Sequence, residues 1–283
     1  MAKPRTANGY TVEMHSKVRM LCAYIATKFG DLFDAEELVV VGGLVPTFLI
    51  AEDDLPAGCP SHVGTTDLDL GLAIKVLDDE HYELMAERLR SAGLEYDVNE
   101  RGNPTLQRWR MKEAPSVTID FLMPRIQGLP KSERLHRLKD LAAIVIDGLH
   151  LAFQDKVPVL LHDEPTLFGE LTTRRIWVCG PGAYLVLKAL AFFNRGQEKD
   201  AYDLYYVLKY HPEGLDKIAS RCQELIADPS TVKALKILKN DFCGLEKIGP
   251  LRVARFLDDE SEELLREVAE LVIALLEKLK CEF

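Results

Sequence analysis

Apolar positions recur along this chain with two different periods, and the change from one to the other organises it. Within residues 10–30, Val18, Leu21, Ile25 and Phe29 fall at helical spacing and predict an amphipathic helix. The continuous apolar run Leu38-Val39-Val40-Val41 predicts a buried strand near 37–42 that runs into Gly42-Gly43. A helix is expected at 44–52, with Pro46 tolerated in its first turn. Period-two alternation then predicts strands near 67–74, 94–98, 105–111 and 116–122, with a helix near 78–92 between the first two. Residues 156–161 read as an edge strand, where Pro158 is acceptable. From Pro181 onward the spacing is helical throughout. The last helix carries Leu264, Val268, Leu271, Leu275 and Leu279 on one stripe, which is expected to face a core. The pattern predicts an α+β fold: a mixed β-sheet with flanking helices over residues 1–170, followed by a helical C-terminal domain over 171–283. A change of period marks that boundary; no repeat or low-complexity linker does.

Polar residues that break the apolar pattern point to chemistry. In Thr66-Asp67-Leu68-Asp69-Leu70 two carboxylates stand two residues apart, so they leave one face of a strand while Leu68, Leu70 and Leu72 leave the other. Like charges that close repel, and a divalent cation shared by both removes the conflict; carboxylate oxygens are ligands that Mg²⁺ favours. Downstream, Asp120 lies on the face opposite Val117, Ile119 and Phe121, which makes it a third acid available to the pair. Gly42 and Gly43 lead into a predicted helix start, where close backbone approach and exposed N–H groups favour phosphate.

Apolar strand, glycine pair, helix, Asp-x-Asp strand and a later strand bearing a third Asp together resemble the nucleotidyltransferase superfamily with the DNA polymerase β-like fold. By position, Gly42 and Gly43 match the glycine pair, Asp67 and Asp69 the metal pair, and Asp120 the third acid. The gap from Gly43 to Asp67 is longer than the superfamily's usual one. The excess falls in 53–64, where Pro56, Gly58, Pro60 and Gly64 read as an inserted loop. A second block narrows the likeness. The apolar helix from Pro181 is interrupted by Lys188, with Arg195 on the same face, and is followed by Lys199-Asp200-Ala201-Tyr202-Asp203-Leu204. This resembles the Lys-Ala-x-Ala…Arg…Lys-Asp-x-x-Asp-Leu signature of the AbiEii-type toxins, which include the MenT-type tRNA-modifying nucleotidyltransferases.

That resemblance, spanning about residues 36 to 210, implies transfer of an NMP from an NTP to an acceptor hydroxyl. It gives Lys188 and Asp200 to the active site, with Arg195 and Lys199 as lesser candidates. Asp67, Asp69 and Asp120 would be the metal ligands, Mg²⁺ being expected and Mn²⁺ the alternative. Gly42, Gly43 and Thr65 or Thr66 would donate to phosphate oxygens. A tRNA acceptor and a cognate antitoxin are implied by the family alone. Nucleotidylation of a protein or a small molecule such as an antibiotic stays open, as does a catalytically inactive nucleotide-binding regulator.

Composition narrows this further. At 283 residues and 47% hydrophobic, the chain can bury one large core or two smaller ones. No apolar run is long enough to span a bilayer, and the first nine residues lack a signal peptide's apolar stretch. Six scattered cysteines with no Cys-x-x-Cys spacing suggest neither a zinc site nor a disulfide scaffold, and reduced thiols in the cytoplasm are expected. A net charge of −10 argues against indiscriminate nucleic-acid binding but leaves room for local basic faces. Three such groups stand out: Arg101, Arg108, Arg110 and Lys112; Lys131, Arg134, Arg137 and Lys139; and Lys233, Lys236 and Lys239. Arg108 and Arg110 share a strand face that borders the proposed metal site.

Overall fold

The computed structural model describes residues 4–73, 79–114, 116–130, 132–138 and 140–279, so Lys131 and Lys139 of the second basic group lie outside the described residues. The chain separates into two compact units. The first comprises Val12–Leu44 and Thr65–Cys179; the second comprises the segment up to Thr11, Val45–Gly64 and the chain from Gly180 onward.

The first unit is built on one mixed sheet. Its strands are β1 (Leu38–Val41), β2 (Asp67–Leu72), β3 (Leu94–Val98), β4 (Pro104–Met111), β5 (Thr118–Pro124), β6 (Leu135–Leu138), β7 (Leu141–Ile146), β8 (Lys156–Pro165) and β9 (Leu171–Cys179). They run in the order β3-β4-β5-β2-β1-β9-β8, with β7 joined to β5 and β6 off that path. The pairs β1/β9, β2/β5 and β5/β7 are parallel and the others antiparallel. Register places Leu68 beside Ile119, Leu70 beside Phe121, and Trp109 across from Ile119. All five are buried, so one face of β2, β4 and β5 is apolar core. The longer helices are α1 (Val12–Lys28), α2 (Gly30–Asp34) and α3 (Asp79–Ser91), with a single helical turn at Leu151–Gln154. α1 lies on β8, β9 and β2 with Val18, Leu21, Ile25 and the following Phe29 buried, as their spacing predicts.

The second unit is helical: α4 (Pro181–Arg195), α5 (Glu198–Tyr210), α6 (Gly214–Glu224), α7 (Pro229–Phe242), α8 (Ile248–Leu257) and α9 (Glu262–Lys278). α4 opens on Pro181 and closes on Gly196 at φ 67°, whose N–H donates to the Phe192 carbonyl. It packs so closely on α6 that a Cβ at Gly182 would stand 2.6 Å from the Arg221 carbonyl carbon. In α9, Ser261 caps the N-terminus, and Leu264, Val268, Leu275 and Leu279 are buried. Leu271 is only half-buried, and Val272 takes the inward position instead. The apolar stripe therefore serves this unit's core.

The fold class is the one expected: a mixed sheet with helices, followed by a helical C-terminal region. Several elements differ in detail. The helix expected at 44–52 is a single turn, Pro46–Leu49, after a 3₁₀ turn at Gly42–Leu44. Strands β6, β7 and β9 were not foreseen. β9 carries Arg174 and Arg175 in mid-strand, which interrupts its alternation. β8 lies at the sheet edge as predicted but runs on to Pro165, past an irregularity around Asp163 at φ 49°. No helix among the described residues is long and apolar enough to cross a membrane.

Candidate functional site

Strand register alone gathers the acids. β2 and β5 run in parallel with Asp69 directly beside Asp120 and Asp67 beside Thr118. β4 is antiparallel to β5, with Arg108 across from Asp120. Neighbouring residues in register share a face, so Asp67, Asp69, Asp120 and Arg108 all leave the side of the sheet opposite Leu68, Leu70, Ile119 and Phe121. One carboxylate oxygen from each aspartate lies within 4.8 Å of those of the other two. Asp67 is 3% exposed and Asp120 5%, while Asp69 is half-buried.

Buried carboxylates need partners, because removing a charge from water is costly unless it is paired or hydrogen-bonded. Arg108 supplies most of this. Its Nε donates to Asp120 Oδ1 at 2.7 Å and its Nη2 to Oδ2 at 2.5 Å, the bidentate geometry that suits guanidinium and carboxylate. The same Nη2 reaches Asp67 Oδ2 at 3.4 Å. The hydrogen bond to Asp120, followed by the charges of Asp120, Asp67 and Asp69, holds the guanidinium above its ordinary pKa against partial burial. Thr65 donates its hydroxyl to Asp67 Oδ1 at 3.1 Å and fixes that side chain from the other end.

Gly42 has a definite reason to be glycine. It follows β1 at φ 72°, where side chains are strained, and a Cβ there would lie 1.9 Å from Asp69 Oδ2. The Asp69 carboxylate therefore occupies the space that any other residue at 42 would fill. Gly43 is buried in the same turn. Thr66, half-buried, precedes β2.

Three carboxylates presenting close oxygens, with no imidazole or thiolate among them, form a donor set for a hard cation such as Mg²⁺, Mn²⁺ or Ca²⁺. The donor set and its closeness fit a bound metal ion, and Gly42 leaves room for the Asp69 carboxylate within that set.

The residues singled out from the helical half also meet one another, in the second unit. Lys188 Nζ donates to Asp200 Oδ1 at 3.1 Å and to Asp203 Oδ2 at 2.5 Å. Arg195 grips Asp200 through two hydrogen bonds of 2.7 Å, and Lys199 donates to Asp203 at 2.7 Å. The sequence motif gave Asp203 no role of its own, yet it is fully buried and central to this network. His62 was missed altogether. Its Nδ1 accepts from the Gly64 N–H at 3.1 Å, which leaves Nε2–H to donate to Asp203 Oδ1 at 2.9 Å. Its ring stacks on Tyr202 and meets the edge of Tyr206. The segment read as an inserted loop is thus a packed part of the second unit: Tyr206 also donates to the Pro60 carbonyl, and the Val63 N–H donates to Tyr202. The one available signal was a lone histidine between Pro60 and Gly64, too common to single out.

Burial pushes His62 down to about 4, with the charges of Lys199 and Lys188 adding to it against the Asp203 hydrogen bond. Burial also works against the ammonium of Lys188, but Asp203 and Asp200 outweigh it and hold that pKa above its ordinary value. For Lys199 burial wins, and its pKa is lowered. Asp203 is held well below the usual carboxylate range: burial opposes this, and Lys188, Lys199 and His62 overcome it. With His62 neutral, the three basic side chains exceed the two aspartates by one formal charge.

The other arginine beside the acids, Arg110, is taken up by Glu95 at 2.8 Å and by Asp97 at 3.6 Å. Lys233, Lys236 and Lys239 are exposed along α7. No protein-family model matches this chain, and no curated protein does. Among solved structures it is similar to an antigenic nucleotidyltransferase-like protein from Paracoccidioides brasiliensis, with 14% identity over 78% of this chain and 93% of the other, at a TM-score of 0.37.

Proposed function

We propose that this chain is a divalent-cation-dependent nucleotidyltransferase that moves an NMP from an NTP to an acceptor hydroxyl. The observation that carries the proposal is the meeting of Asp67, Asp69 and Asp120, from two strands, within 4.8 Å beside a glycine that makes room for one of them. In the reaction the bond between the α-phosphorus and the bridging oxygen breaks, a new P–O bond forms to the acceptor, and pyrophosphate leaves. Bound Mg²⁺ or Mn²⁺ supplies charge neutralisation around the α-phosphate and acidifies the attacking hydroxyl. Asp67, Asp69 and Asp120 would hold the cations, with Thr65 keeping Asp67 oriented. Asp120 also favours loss of the acceptor proton. Backbone donors at Gly42 and Gly43, with Thr66, are assigned to phosphate oxygens. Lys188 and Arg195 are assigned to the triphosphate's charge and Asp200 to their positioning, which draws on the family resemblance.

Within this reading tRNA is the leading acceptor and toxicity restrained by a partner antitoxin the biological role, both on the resemblance to AbiEii-type toxins, and the cytoplasm is the place of action on the cysteine pattern. One observation favours a second reading, a nucleotide-binding regulator without turnover. Arg108 already occupies both oxygens of Asp120, and Lys188 is already shared by two aspartates. The test incubates the protein with each α-labelled NTP and Mg²⁺, separately with total tRNA, cell protein and aminoglycosides, beside Asp69→Asn. Label in the RNA fraction that disappears in the variant is the expected result. Label in protein or aminoglycoside redirects the acceptor, and nucleotide binding with no transfer selects the regulator.

A further inference from the structure

Arg108 has no place in the superfamily pattern as matched above, yet it makes the tightest contacts in the acidic cluster. Its guanidinium holds both oxygens of Asp120 and touches Asp67, two of the three carboxylates assigned to the cation. A metal ion and an arginine cannot both take the same carboxylate lone pairs at full strength, and both are repelled by each other's charge. The Arg108 side chain is 34% exposed, whereas Asp120 and Asp67 are 7% and 4% exposed, so the arginine is the partner of these pairs that reaches solvent. It is tethered on β4 by register across from Asp120, and it stays beside the site wherever its head group goes.

We infer that Arg108 is a displaceable counter-ion: it neutralises Asp120 and Asp67 while the cation is away, yields Asp120 when the cation binds, and then pairs with the polyphosphate that arrives with it. This deepens the nucleotidyltransferase reading and rests on it. The exchange would make the acidic cluster tolerable without metal, weaken binding of a bare cation, and strengthen binding of the nucleotide that follows.

The test compares wild type with Arg108→Gln and Arg108→Lys, using Mn²⁺ alone in calorimetry, thermal unfolding in chelator and in saturating Mn²⁺, and binding of a labelled NTP at saturating Mn²⁺. Arg108→Gln is expected to unfold earlier than wild type in chelator and to recover most of the difference in Mn²⁺. It should bind Mn²⁺ at least tenfold more tightly and the nucleotide at least tenfold more weakly, with Arg108→Lys between the two. Unchanged or weaker Mn²⁺ affinity in Arg108→Gln overturns the inference, as does unchanged nucleotide affinity. Failure of the underlying reading looks different: wild type itself then binds no Mn²⁺, or Asp69→Asn binds it as well as wild type does.

Discussion

At Gly42 two independent constraints meet, a backbone at φ 72° and an aspartate oxygen 1.9 Å from the position of a Cβ. Gly42→Ala must strain the turn and push Asp69 away from Asp67 and Asp120. Strain of this kind typically costs about 1–3 kcal/mol. The larger expected effect is on the site: at least a hundredfold weaker cation binding in a fold that still gives a cooperative melt. Cation binding within threefold of wild type would show that Asp69 has other room. His62 supports a second prediction at this scale. In the folded chain it stays neutral down to about pH 4, while in the unfolded chain it takes up its proton near 6.5. Between those values the unfolded state binds more protons, so stability falls as pH falls, by an amount on the order of 3 kcal/mol. The depressed acids Asp200 and Asp203 add losses only at lower pH, below the ordinary carboxylate pKa of 3.8. Chemical denaturation from pH 7 to 4.5 should show a shallower loss for His62→Gln than for wild type. Parallel curves would mean that His62 is protonated in the fold.

Among the elements, what could be read from sequence was what local pattern dictates. Leu68 and Leu70 alternating with Asp67 and Asp69 fix β2 and its two faces, and Val117 to Phe121 do the same for β5, so the acids' shared face was legible. Their register was not, because the pairing of Asp69 with Asp120 is a contact across about fifty residues that no local period encodes. The expected 44–52 helix shrank to one turn because propensity is a weak prior for so short a run, and tertiary context overrides it. His62 and Asp203, the centre of the buried network, escaped for the same reason: their meaning comes from being neighbours in space, 141 residues apart. Close helix packing gives a third prediction. Gly182 sits where a Cβ would lie 2.6–2.8 Å from the backbone of Arg221 and Cys222. Gly182→Ala should force α4 from α6 and destabilise the protein by about 1–3 kcal/mol, as overpacking does. A denaturation midpoint equal to that of wild type would show that the two helices can part without loss.

At the scale of the whole molecule, two units carry two charged centres of opposite bias. The sheet unit gathers three carboxylates around one guanidinium, and the helical unit gathers two buried aspartates among three basic side chains. In the proposed reaction the acidic centre would serve cations and the basic one phosphates. The sheet centre is built for binding at a cost to stability, since like charges are held together there. Asp69→Asn should therefore be no less stable than wild type in chelator while losing the stabilisation that Mn²⁺ gives. The account depends most on the claim that acids from separate strands act on one cation. Equilibrium Mn²⁺ binding to Asp67→Asn, Asp69→Asn and Asp120→Asn, each alone, measures this directly. Each variant is predicted to bind at least tenfold more weakly than wild type, including Asp120→Asn, whose residue comes from the other strand. Wild-type affinity in Asp120→Asn would contradict the account, because the cation would then belong to β2 alone.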